Sequence, residues 1–196
     1  MSAHDSQWPR WEVFKQDNAR KVHQAVGSVH AADPEHALLT ARHVFVRRPS
    51  AVSLWVAPAD AIFSVTTEQL EQLESHPQLL AEHSPHALQP YTVFGKREQR
   101  SSMTYVDYFG EVEATSAAEA LQQAIERFGQ AEASAEIFVW WLIPNAVLYQ
   151  SRDEDSDAWF EPAASKTYKQ QSQYGTVSSK ASPEGNAASR SPVKGA

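Results

Sequence analysis

The chain has no cysteine, which excludes disulfides, iron–sulfur clusters and thiolate zinc sites. It has no surplus of basic charge either. Seventeen Lys and Arg stand against 24 Asp and Glu, a net charge of −7. That is the wrong sign for a nucleic-acid binder, which needs a basic field. No stretch approaches the roughly 20 apolar residues of a membrane helix, and the opening MSAHDSQWPRW has no apolar signal core. The expectation is a soluble, cytoplasmic protein. No glycine-rich phosphate loop follows a strand, and no Gly-x-Ser-x-Gly elbow appears.

What the chain does have is apolar material, 42% of 196 residues with 10% aromatic, and a pattern that occurs twice. WEVFKQ (11–16) and HQAVGSVHA (23–31) read as strands rich in aromatic and β-branched residues. Asp33 is a good N-cap, and Pro34 suits the first helical position because its φ is preset and it has no amide to leave unpaired. The helix then aligns Ala37, Leu38, Ala41, Val44 and Phe45 on one face. Pro49 stops it, and VSLWVAP (52–58) follows as an apolar strand. The second copy keeps the order. YTVFGK (91–96) and MTYVDYFGEVEA (103–114) read as strands. Ser116 and Glu119 have capping-box spacing. Ala120, Leu121, Ala124, Ile125 and Phe128 form the stripe, and EIFVWWLIP (136–144) closes the unit. Between Gly27–Phe45 and Gly110–Phe128, seven of nineteen positions are identical without a gap, all of packing or backbone types.

The fold class expected is therefore α+β: two tandem β-β-α-β units forming an intrachain pseudo-dimer, with an extended C-terminal tail. Residues 1–65 are the first unit and 66–90 a helical, then irregular linker broken by Pro77. Residues 91–150 are the second, degenerate unit. Residues 151–177 are an aromatic docking tail carrying Trp159, Phe160, Tyr168 and Tyr174. Residues 178–196 lack large apolar groups and are expected to be disordered.

The chemistry-bearing side chains form no catalytic set. His36 and His43 are two helical turns apart, too far to share an ion unaided, and neither belongs to a Glu-x-x-His pair of the di-iron kind. His83 and His86 flank Pro85, which disfavours a helix. Solvated or interface histidines are the simpler reading. Asp153 and Glu154 sit in a charge run of the ordinary solvated sort. Surface remains. His36, Arg42, His43, Arg47 and Arg48 give the first helix a polar face, although arginines near a helix C-terminus also offset its dipole. Aromatics in a polar tail point to docking, on this chain or on a partner.

The stretches WPRWEVF (8–14), VGSVHAADPEHALLTARHVFVRR (26–48), VSLWVAP (52–58) and WFEPAASKTY (159–168) resemble the B subunit of bacterial ring-1,2-phenylacetyl-CoA epoxidase, a multicomponent monooxygenase of aerobic phenylacetate breakdown. Typical members of that family are about half as long, with one unit followed directly by the tail, so here a second unit stands between the two. The resemblance implies a non-catalytic bridging subunit with no cofactor of its own. Its partners would be a catalytic A subunit holding the di-iron centre and a structural C subunit, with a reductase acting indirectly. No nucleic acid or membrane is implied. The partner-binding candidates are His36, Arg42, His43, Arg47, Arg48, Trp159, Phe160 and Tyr168. The alternative is a stand-alone ligand-binding or catalytic domain of the dimeric ferredoxin-like kind, with Phe63, Trp140 and Trp141 lining an apolar pocket.

Overall fold

Alternating apolar residues give strands here because each face of the sheet has its own core to fill. In the computed structural model, which describes residues 7–46, 51–75, 87–97, 106–129, 137–152, 154 and 157–160, the chain is α+β with one eight-stranded antiparallel sheet. Strands β1 (Arg10–Gln16) and β2 (Gln24–His30) lead into helix α1 (Pro34–Phe45) and strand β3 (Ser53–Pro58). A 3-10 turn at Ala59–Ala61 precedes strand β4 (Phe63–Thr66) and helix α2 (Thr67–Ser75). The order then recurs with β5 (Gln89–Lys96), β6 (Asp107–Ala114), α3 (Ala117–Phe128), β7 (Val139–Pro144), a 3-10 turn at Asn145–Val147 and β8 (Tyr149–Gln150). All described residues lie in the compact unit 1–166. The predicted irregular segment after α2, with Pro77, and the residues beyond Phe160 fall outside the described residues.

The strand order is β4-β7-β5-β6-β2-β1-β3-β8. The pairings repeat in register. Val13 faces Val56 and Gly27, as Val93 faces Leu142 and Gly110. The outermost strands are exchanged: β4 pairs with β7, Phe63 opposite Leu142, and β8 pairs with β3, Tyr149 opposite Val56. The sequence predicts neither β4 nor β8. A four-residue and a two-residue strand are too short to show a period, and their partners are distant in the chain.

Helices α1 and α3 carry the N-caps that the sequence predicts. Asp33 Oδ1 accepts from the His36 amide at 2.8 Å, and Ser116 Oγ accepts from the Glu119 amide at 3.2 Å. The Glu119 carboxylate returns one residue earlier than a capping box requires, to the Thr115 amide at 2.8 Å and hydroxyl at 2.6 Å. Those two bonds hold its pKa below the ordinary value.

Three apolar clusters result. Under α1, Trp11, Val13, Val29, Ala37, Leu38, Ala41, Leu54 and Val56 pack together. Under α3, Tyr91, Val93, Val112, Leu121, Ala124, Trp140 and Leu142 do the same. The strand residues that alternate with these form a third cluster including Phe14, Ala57, Phe94 and Ile143, in which Phe14 and Phe94 stack with ring centroids 4.1 Å apart. A β-bulge in β2 and another in β6 set the phase. Val26 and Phe109 are the unpaired residues, and the glycines after them take φ of +135° and +154°. The bulge lets Val26 and Val29, three apart, both reach the α1 cluster, which strict alternation forbids. Both glycines lie beneath the last aromatic of the following helix. A Cβ on Gly27 would stand 3.0 Å from Phe45 Cζ, and one on Gly110 2.7 Å from Phe128 Cζ.

One core assignment is corrected. Val44 was expected on the buried stripe of α1, but it is 48% exposed. The stripe buries Ala37, Leu38 and Ala41, with Phe45 partly covered. Val44 sits at the edge of the apolar arc in the last turn, where covering neighbours are fewest.

Candidate interaction face on the first helix

The side chains singled out on α1 do not form one uniform polar surface. His36, half-buried, has the edge of Trp8 against it at 4.8 Å between centroids. Its Nδ1 lies 3.4 Å from the Ala32 amide. Trp8 itself is 56% exposed, and its carbonyl accepts from His30 Nδ1 at 2.8 Å. His43 is exposed. Arg42 points the other way. Its Nε donates to the Trp159 carbonyl at 2.7 Å, and its guanidinium carbon lies 5.5 Å from the centroid of the Trp159 ring. Arg47, Arg48 and Tyr168 lie outside the described residues.

Of the two docking places open to the tail aromatics, the structure puts Trp159 and Phe160 on this chain. Residues 157–160 are helical, Phe160 is 8% exposed, and it belongs to the core under α1, with Trp159 packed against that core. An analogous apolar contact exists in the other half, where Leu70 of α2 packs against the core under α3. The segment after β8 thus covers the first unit as the segment after β4 covers the second.

Two residues that the sequence does not single out as surface candidates complete the face. Leu39 is 42% exposed and Val44 48%. At the matching positions α3 carries Gln122 and Arg127, both exposed. Arg127 is tied down, donating to the Glu111 carbonyl at 3.0 Å and lying over the Phe128 ring. The signal for Leu39 was present: it is apolar, yet it sits directly after Leu38 and off the core stripe. The outward arc of α1 is therefore apolar and histidine-bearing, with Leu39, His43 and Val44. The same arc of α3, with Gln122, Glu126 and Arg127, is polar and charged. Burying the rest of a half-exposed Leu or Val is worth about 1 kcal/mol each.

The structure does not bring Trp140 and Trp141 to one pocket. Trp140 belongs to the core under α3, and Trp141 packs against the third cluster on the opposite face of β7. Adjacent residues of a strand point to opposite faces and cannot line one pocket. An open groove of about 940 Å³ lies between β6 and α3, lined by Tyr108, Glu111, Glu113, Glu126 and Arg127. Among the described residues no three His, Asp or Glu side chains converge to hold a metal ion, and no helix is long and apolar enough to cross a membrane. What the α1 face offers is apolar contact and hydrogen-bonding imidazoles, the chemistry of docking.

The family model for Phenylacetic acid degradation B matches residues 7–78 and 87–181. Over 62 residues the chain is 40% identical to the B subunit of 1,2-phenylacetyl-CoA epoxidase from Escherichia coli strain K12. That match takes in 32% of this chain and 65% of the relative. No solved structure matches. With both halves of its sheet inside the family match, the chain belongs to the Phenylacetic acid degradation B family.

Proposed function

We propose that this chain is a structural subunit, without catalytic residues of its own, of a cytoplasmic multicomponent oxygenase that epoxidises the ring of phenylacetyl-CoA during phenylacetate degradation. It is an intrachain pseudo-dimer that organises the catalytic, di-iron A subunit and the structural C subunit, with the reductase reached through them. Its own chain holds no cofactor. The family match and the name of the E. coli relative support the pathway. The palindromic strand order with exchanged outer strands supports the pseudo-dimer.

The observation that carries the docking role is the contrast between two equivalent helix faces. Leu39 and Val44 are exposed on α1 where α3 presents Gln122 and Arg127. An exposed apolar pair with flanking aromatic and basic groups is the usual core of an interface. Of the residues named from sequence, His36 and His43 lie on the helix arc between the two. Arg42, Trp159 and Phe160 act from beneath by fixing the flank of the helix. Arg47, Arg48 and Tyr168 remain candidates on their sequence positions alone.

The test is to give α1 the face of α3. Leu39→Gln with Val44→Arg removes about 2 kcal/mol of apolar burial, roughly thirtyfold in affinity. Capture of purified A and C subunits by this variant should fall by that factor, while Arg127→Ala binds as wild type. Equal capture by all three folded proteins refutes docking on α1.

A further inference from the structure

The two half-sheets meet along a short seam. Among the described residues, β2 and β6 pair in register at Gln24 and Asp107 alone. Two backbone bonds cross there, Ala25 N to Val106 O at 3.0 Å and Tyr108 N to His23 O at 2.9 Å. One side-chain bond joins them, Gln24 Nε2 to Asp107 Oδ1 at 2.6 Å. His23 therefore supplies one of the two carbonyl acceptors. Its ring lies flat on Trp55, with centroids 3.5 Å apart and planes 18° apart. Trp55 in turn meets Tyr108 of β6 edge-on at 5.6 Å. His23 is 6% exposed, and its Nε2 has no hydrogen-bond partner.

A neutral imidazole suits this place, because a stacked ring needs little from its surroundings. An imidazolium there is a buried charge with an unpaired donor, which is costly. The titratable groups on the neighbouring elements do not compensate. On β1 and its turn, Lys15 and Lys21 both engage Asp17, at 2.9 and 3.1 Å. On β6, Asp107 is taken by Gln24, and burial pushes the Tyr108 phenol up, so it stays neutral. From β3 the facing group is the uncharged Trp55. The second half puts Val106 at the position matching His23, buried in the third cluster. The imidazole is thus not a packing requirement of this site.

We propose that His23 makes the seam between the half-sheets a pH-sensitive joint, closed while the ring is neutral and opened by its protonation before either half unfolds. The exchanged strands β4 and β8 keep the halves tied when the joint opens. Desolvation drives the ring's pKa from 6.5 to about 4. An opened, solvated ring titrates near its ordinary value. The open form therefore binds protons more readily, and closure, complete above pH 6.5, weakens as the pH falls toward 4. Between pH 8 and pH 5 the opening equilibrium should rise roughly thirtyfold.

Amide hydrogen exchange on the full chain tests this, read as protection factors corrected for the intrinsic pH dependence of exchange. The amides of Ala25 and Tyr108 should lose about thirtyfold in protection between pH 8 and pH 5, while those of β5 do not. His23→Val, which copies Val106, should abolish the loss. His23→Gln, a neutral polar replacement, should abolish it too and serves if the valine variant does not fold. The proposal is overturned if wild-type protection at the two amides does not change. It is equally overturned if β5 loses protection in parallel, or if the folded variants show the same loss.

Discussion

Replacing Gly110 by alanine should be among the most damaging single-methyl additions this chain can receive. Two separate costs apply. The backbone at Gly110 has φ +154°, a conformation that L residues rarely adopt, at about 1–3 kcal/mol. The new methyl also stands 2.7 Å from Phe128 Cζ. The helix end must shift, which costs about 1–3 kcal/mol by overpacking. The sum, about 2–6 kcal/mol, is a large part of the stability of an ordinary domain. Gly27→Ala shares the backbone cost at φ +135°, but its methyl meets Phe45 at a looser 3.0 Å, so it should cost less. Urea unfolding of the two variants gives the order. A cycle with Phe128→Leu separates the causes, because the shorter side chain relieves the clash and leaves φ untouched. If Gly110→Ala lies within about 0.5 kcal/mol of wild type, the bulge has no need of glycine. If the leucine background restores all the stability, the backbone argument fails.

The other predictions follow from the same contacts. Phe160→Ala should lower stability by about 3 kcal/mol, the usual loss for a core phenylalanine. Trp159→Ala should lower it less, since that ring is only packed against the core; melting curves decide. Asp33→Ala and Ser116→Ala should each cost about 1 kcal/mol through loss of an N-cap, measured by urea titration. Thr115→Val should raise the Glu119 pKa toward its ordinary value, because the lost hydroxyl bond is the largest cause of its depression. A carboxyl NMR titration that shows no upward movement would contradict this. The depressed carboxylate favours the folded state above its unfolded pKa, and that contribution disappears as the pH falls through the folded value.

The elements that sequence made legible are those whose signal is local. Caps at Asp33 and Ser116, the 3.6-residue stripes and the alternating strands all rest on neighbours within four residues, and all three kinds appear in the structure. What the sequence hid is long-range. Strand β4 exists because β7 receives it, and Leu142 lies 79 residues from Phe63 along the chain. Which surface Phe160 docks on stays open in the sequence because its cavity is made by residues more than a hundred positions earlier. Val44 shows the same limit in reverse. Its position on the wheel is nearly that of Ala37, but the wheel does not say where the sheet ends beneath the helix. His23 gives no sequence signal at all, since its burial depends on Trp55 and on a strand from the other half.

The divergence between the halves follows a physical division. Positions that pack against their own half are the same or nearly so: Gly27 and Gly110 under a helix-end phenylalanine, Ala37 and Ala120, Leu38 and Leu121, Ala41 and Ala124. Positions that face solvent or the other half are where the residues differ in character: Leu39 against Gln122, Val44 against Arg127, His23 against Val106. Two identical chains must present the same residue at both related sites, so a face suited to one partner appears twice, and a seam residue meets its own copy. On the proposed pseudo-dimer reading, joining the halves in one chain removes that constraint at the outward and seam positions and leaves it at the packing positions, where each helix still has to fit its own sheet. Arg42 marks a packing position where the halves still differ. It can be an arginine because only the first helix has Trp159 beside it, while Ile125, at the matching place, packs partly buried against its own core.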